Sequence, residues 1–128
     1  MTSRILLVED NPFNQELFLV ILEAAEHLVT VANDVPEGRA AAHAQVPDLI
    51  LMDIDLPGGG GELLMRELRQ DEAFAGCPIV ALTSFAMQGD RERLLAAGFD
   101  GYLSKPIEVR TFLRDVEAFL PTPASRER

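Results

Sequence analysis

The feature that most constrains this chain is a rhythm. Short, unbroken apolar runs alternate with longer stretches of helical period, and the runs end on polar residues, Pro or Gly. Residues 5–8 are a continuous apolar run stopped by Glu9-Asp10-Asn11-Pro12. A run with no polar alternation reads as a strand buried on both faces. Pro12 suits the first turn of a helix, with Asn11 as its cap, and that helix extends to about residue 25. Residues 28–32, β-branched at Val29, Thr30 and Val31, predict a second strand. Residues 36–44 are an Ala-rich helix ended by Pro47, and residues 48–52 a third buried strand. Pro57 and Gly58 to Gly61 are a loop by composition. A helix over 62–70, a strand over 78–82 and a helix from about 87 to 97, stopped by Gly98, follow. A short strand over 101–104 and a helix over 107–120, ended by Pro121, complete the pattern. Such alternation with short connections implies parallel strands, right-handed crossovers and helices on both faces. The expected architecture is an α/β doubly wound five-stranded parallel sheet. It fills one domain over residues 1–120, with residues 121–128 as a flexible C-terminal tail too short for a further globular domain.

Composition narrows the function classes. The 128 residues suit one domain able to bury a real core. A net charge of −10 argues against a nucleic-acid surface, which needs clustered Lys and Arg. Cys77 is the only cysteine, so no internal disulfide forms, in keeping with a reducing compartment. It is expected to be a small buried apolar residue. No apolar run approaches the roughly 18 residues of a membrane span. The run after Arg4 is too short for a signal-peptide core. The expectation is a cytoplasmic protein with no membrane partner.

The chemistry lies at the strand ends. The first strand delivers Glu9 and Asp10, the third Asp53, the fourth Thr83 and the fifth Lys105. In an open parallel sheet the ligand crevice lies outside the carboxyl ends of the strands, so these residues converge on one edge. Three neighbouring carboxylates disfavour ionisation unless a cation compensates. Such oxygen donors suit Mg²⁺, with Mn²⁺ possible in its place. The Lys105 ammonium and the Thr83 hydroxyl would serve the oxygens of a phosphoryl group, with Asp53 as nucleophile.

These residues resemble the receiver domain of bacterial response regulators, with a flavodoxin-like (βα)5 fold. The likeness is carried by Leu7-Val8-Glu9-Asp10-Asn11, by Asp48 to Pro57 with Gly61, by Pro78 to Thr83, and by Gly98 to Ile107. It extends from about Arg4 to Leu120. The resemblance implies the sheet order 2-1-3-4-5 and Asp53 as phosphoacceptor in a two-component phosphorelay. It implies Asp10 as a direct metal ligand, Glu9 as a ligand through water, and the backbone carbonyl of Asp55 as a third protein ligand. Thr83 and Tyr102 would be the switch pair, and Lys105-Pro106 a cis peptide. The donor would be a histidine kinase or histidine phosphotransfer protein, and the target would bind the fourth helix, fifth strand and fifth helix. Phosphorylation and dephosphorylation would be self-catalysed, making the protein a switch rather than an enzyme. The segment from Ala86 to Lys105 is most similar to receivers of hybrid histidine kinases and free-standing cell-cycle receivers. Three departures stand out. Gly59 and Gly60 replace an apolar and a polar residue, in a loop expected to be unusually mobile. Glu26 sits where a turn Gly is common. Phe85 is bulky beside the phosphoryl position, where it is expected to exclude water and prolong the phosphorylated state.

On the first helix six apolar residues run from Leu17 to Leu22. With Leu17, Phe18, Ile21 and Leu22 facing the sheet, Leu19 and Val20 point outward. Together with Asn14 and Pro106 they are the expected docking patch for a helical phosphodonor. His27 and His43 are expected at the surface, and Met52, Met65 and Met87 in packing. Arg91, Glu92 and Arg93 are expected on a solvated face. Two other functions compete. One is a pseudo-receiver that only binds partners. The other is a haloacid-dehalogenase-type phosphatase built on Asp53-Ile54-Asp55, although in that family the Asp pair comes on the first strand.

Overall fold

A computed structural model describes residues 3–84 and 88–120. Five strands, β1 (Arg4–Val8), β2 (Leu28–Ala32), β3 (Leu49–Asp53), β4 (Ile79–Thr83) and β5 (Gly101–Ser104), form one parallel sheet in the order β2-β1-β3-β4-β5. The connecting helices are α1 (Pro12–Ala24), α2 (Val35–Ala44), α3 (Gly60–Arg69), α4 (Gln88–Ala97) and α5 (Val109–Phe119). Phe85, Ala86, Met87 and the tail over 121–128 lie outside the described residues.

Unbroken apolar strands follow from the two-sided burial. Successive side chains point to opposite faces, so β3 sends Leu49 and Leu51 to one layer and Ile50 and Met52 to the other. The first layer joins Ile5, Leu7, Val80 and Leu82 to Phe18 and Leu22 of α1 and Phe112 and Val116 of α5. Phe18 and Phe112 stack with ring centroids 5.0 Å apart. The second layer joins Leu6, Val8, Ile79 and Ala81 to Ala42, Leu64, Met65, Leu68 and Leu94 of α2, α3 and α4. Each fully buried Leu or Ile contributes about 1.5–3 kcal/mol. Cys77 is buried, and burial pushes its thiol up to about 11.

Local signals end the elements. Asn11 caps α1 by accepting from the Asn14 N–H at 3.0 Å, and Asp34 caps α2 through the Glu37 N–H at 2.9 Å. Asp48 stands outside β3, its carboxylate accepting the Arg4 N–H at 2.8 Å. Asp53 and Thr83 are therefore the last residues of their strands rather than the first beyond them. The start of α5 falls at Val109, after an extended Glu108.

Three expectations need correction. Gly58 to Gly61 are not a plain loop: Pro57–Gly59 forms a short 3-10 turn, and Gly60 and Gly61 already belong to α3. Gly58 and Gly59 take φ of 82° and 70°, while a Cβ on Gly61 would collide with the Asp53 carbonyl. These glycines let α3 start directly against the end of β3. His27 is not at the surface but 4% exposed. Its Nδ1 accepts the Ser3 N–H at 3.3 Å, so Nε2–H donates to Glu117 on α5 at 2.8 Å. With both ring nitrogens satisfied, the imidazole is buried at modest cost. Leu17 does not face the sheet but lines a surface groove with Phe13, Glu16 and Val20. Arg91, Glu92 and Arg93 are exposed, as expected of a solvated face, and there Arg93 bonds Glu62 of α3 at 2.8 Å.

The turn before β2 puts Glu26 at φ 69°, in the left-handed region. An L side chain there costs roughly 1–2 kcal/mol. Glu26→Gly should raise the unfolding free energy by about 1 kcal/mol, measured by urea denaturation. In the same assay Gly61→Ala should lower it by about 1–3 kcal/mol, the range for overpacking.

Candidate functional site

The carboxyl edge of the sheet gathers the polar residues that the core excludes. Glu9 follows β1, and its N–H continues the ladder to the Ala32 carbonyl at 3.0 Å. Its side chain is fully buried, and Asp53 and Thr83 are each 1% exposed. Asp10 is exposed. One carboxylate oxygen from each of Glu9, Asp10 and Asp53 lies within 4.8 Å of the others. Lys105, carried past the end of β5, brings its Nζ to 3.0 Å from Asp53 Oδ2 and 3.3 Å from Glu9 Oε1. Asp53 Oδ1 accepts the Asp55 N–H at 2.7 Å, which fixes the carboxylate plane from its other side.

The electrostatics are unbalanced. Burial, then the hydrogen bond with Asp53, raises Glu9 from 4.5 to about 7, with Lys105 pulling the other way. Burial works against the Lys105 ammonium, but hydrogen bonds and charge from Asp53 and Glu9 outweigh it and hold its pKa above the ordinary value. One ammonium thus faces three carboxylates. The site is short of positive charge and rich in hard oxygen donors, which is what a divalent cation such as Mg²⁺ requires. The Glu9, Asp10 and Asp53 donor set fits it.

Thr83 ends β4 in register with Ser104, while Tyr102 pairs with Ala81 two residues earlier. By strand alternation Thr83, Ala81 and Tyr102 share the face that carries α4. Tyr102 is half-buried and packs against that layer. Lys105-Pro106 is cis, as the resemblance implied. Val20 is 63% exposed, Pro106 is exposed and Leu19 is half-buried.

Some contributors escaped the sequence reading. Asn14, expected at the docking patch, turns its amide to Glu9 Oε1 at 3.3 Å. Gln15 donates to the Glu9 carbonyl at 2.5 Å, and the Asn11 N–H to Glu9 Oε2 at 3.1 Å. The Asp55 carboxylate accepts the Ser84 N–H at 2.7 Å. The capping signal at Asn11 placed the first turn of α1, but nothing in sequence showed that this turn wraps Glu9.

Comparison with known proteins gives the family. Residues 5–117 match the family model of the response regulator receiver domain. The chain belongs to that family, the receiver domains of two-component signalling, which act as signalling switches. A polar-differentiation response regulator DivK from Brucella ovis is 38% identical over 120 residues, covering 94% of this chain and 98% of the relative. The receiver domain of sensor histidine kinase PA1611 from Pseudomonas aeruginosa PAO1 superposes with a TM-score of 0.82 at 39% identity. That match covers 93% of this chain and 98% of the other, whose structure has magnesium coordinated in its active site cleft. Chemotaxis protein CheY4 of Vibrio cholerae gives a TM-score of 0.86 at 25% identity, over 94% of this chain and all of the other. Among the described residues no helix is long and apolar enough to cross a membrane.

The raised pKa of Glu9 makes a pH prediction. Between pH 4.5 and 7 the folded metal-free chain holds a proton that the unfolded chain has lost, so its stability should fall as pH rises through that window. A cation must displace the same proton, so Mg²⁺ affinity should rise about tenfold from pH 6 to pH 8. Calorimetric titration at both pH values checks this, and Glu9→Gln should flatten both dependences.

Proposed function

We propose that this receiver takes a phosphoryl group from phosphohistidine onto Asp53 and switches partner binding through Thr83 and Tyr102. The observation that carries the reading is the Lys105 ammonium seated on the buried Asp53 and Glu9 of the acid cluster. Glu9, Asp10, Asp53 and the backbone carbonyl of Asp55 would hold Mg²⁺. When bound, the ion supplies positive charge to phosphoryl oxygens.

The chain's own residues do the rest. A carboxylate oxygen of Asp53 attacks phosphorus, the O–P bond forms as the donor's P–N bond breaks, and the donor imidazole takes up a proton. Lys105 holds the charge on the transferred oxygens, and the Thr83 hydroxyl donates to one of them. Water later attacks phosphorus, the P–O bond to Asp53 breaks, and inorganic phosphate leaves as the Asp53 carboxylate is restored, so the domain catalyses both steps on itself. Thr83, drawn toward the phosphoryl group, vacates space on the α4 face, and Tyr102 turns into it. The new charge-assisted hydrogen bonds shift a two-state population. The change reaches a downstream protein through α4, β5 and α5.

The donor is a histidine kinase or a histidine phosphotransfer protein. It docks beside Asn14, Leu19, Val20 and Pro106, and the exposed Phe13 and half-buried Leu17 extend that surface. The working domain spans residues 1–120, and the setting is cytoplasmic. Phe85, expected to shield the phosphoryl group, falls outside the described residues. The phosphatase alternative asks for its Asp pair on the first strand, whereas Asp53 ends β3.

Acetyl phosphate with Mg²⁺ should add one phosphoryl group to the intact chain, seen by mass spectrometry. Asp53→Asn or a chelator should abolish the addition. Equal labelling with chelator present contradicts the reading.

A further inference from the structure

The parallel ladder between β3 and β4 breaks in an informative way. The Ile50 N–H donates to the Pro78 carbonyl at 2.9 Å, and the Ile54 N–H to the Leu82 carbonyl at 3.0 Å. In a continuing parallel ladder the next bond returns from the Ser84 N–H to the Ile54 carbonyl. Instead the Ser84 N–H donates to Asp55 Oδ2 at 2.7 Å. From the β5 side the Lys105 N–H donates to the Thr83 carbonyl at 2.8 Å. Leu82, Thr83 and Ser84 are thus each fastened, and the last fastening is made by a side chain.

We propose that Asp55 is a positioning residue, acting through the Ser84 amide to hold the end of β4, and with it Thr83, against the phosphoacceptor. The proposal rests on the reading of Asp53 as phosphoacceptor. Its carrying observation is that one residue reaches both groups. The Asp55 N–H donates to Asp53 Oδ1 at 2.7 Å, while its carboxylate holds Ser84. The carboxylate is exposed and could be hydrated without penalty, yet it forms a short charge-assisted bond to a backbone amide. That bond replaces a ladder bond at the residue following Thr83. If it is lost, the Ser84 amide exchanges with water and the Thr83 hydroxyl loses a fixed bearing toward the Asp53 oxygens. Misplacing a catalytic group in this way slows transfer without altering the chemistry.

Charge complicates a simple deletion, because removing any carboxylate here also eases the approach of an anionic phosphodonor. Asp55→Asn and Asp55→Ala remove the same charge, but only the Asn carbonyl oxygen can still accept the Ser84 N–H. Their difference isolates the bond. The measurements, on the full chain, are the rate of phosphorylation by acetyl phosphate with Mg²⁺ and the hydrogen exchange of the Ser84 amide by NMR. Asp55→Asn should keep the amide protected and accept phosphate about tenfold faster than Asp55→Ala, equivalent to ~1.4 kcal/mol in barrier. Asp55→Ser, whose hydroxyl is too short to span the gap, should match Asp55→Ala and serves if that variant folds poorly. Equal rates for the Asn and truncated variants overturn the positioning role, as does an unchanged Ser84 exchange rate on truncation. A parent chain that takes no label overturns the phosphoacceptor reading, and the role of Asp55 falls with it. The Ser84 exchange still reports the bond by itself, so the two failures are distinguishable.

Discussion

One ammonium group among buried carboxylates is the interaction on which the rest of the site depends. Lys105 Nζ touches Asp53 and Glu9 at 3.0 and 3.3 Å, with Asp10 close by. At such separations a pair is worth about 4 kcal/mol at an effective dielectric of 20. Desolvating each buried ion costs several kcal/mol. A single cation cannot offset that cost for all of its neighbours, and Glu9 relieves the excess by holding a proton up to about pH 7. The metal-free site is therefore poised for positive charge. Any group that brings it, or that spreads negative charge toward Lys105 and Thr83, finds its partners already in place.

The hydrophobic core makes that placement possible. Strands buried on both faces cannot hold charge along their length, so polar residues appear where the strands end. Parallel pairing puts all those ends on one edge. The core layers on either side of β3 then fix Asp53 to within the tolerance of its own strand, and α3 closes against it through Gly61. Asn14, Gln15 and the Asn11 amide wrap Glu9 from the first turn of α1. Asp55 ties the β3 end to the β4 end. What looks like loop chemistry is a set of strand and helix termini held by tertiary packing.

Sequence made some of this legible and hid the rest, for physical reasons. Two-sided burial leaves a signature in composition, so the strands and their order of appearance could be read, and with them the convergence of Glu9, Asp10, Asp53, Thr83 and Lys105. At Asp53 and Thr83 the strands end one residue beyond the sequence expectation, because a polar residue closing an apolar run looks like loop until its ladder partners are known. His27 carries no local sign of burial. It is hidden by Glu117, ninety residues away, together with the Ser3 amide. The glycines over 58–61 looked like a loop because composition cannot separate glycine used for freedom from glycine used for close approach. The face that Leu17 takes is not legible, because six consecutive apolar residues leave the phase of a helix undetermined. The link from Asp55 to Ser84 depends on where a strand pair parts, which periodicity does not report.

In the proposed function, the ion-paired carboxylate at the end of β3 is the group that becomes phosphorylated. The most direct measurement reduces the labelled chain with borohydride, which converts an aspartyl phosphate to homoserine, and maps the product by tandem mass spectrometry. Conversion is expected at position 53 alone. Conversion at position 10 or 55, or at any residue off this edge of the sheet, would contradict it.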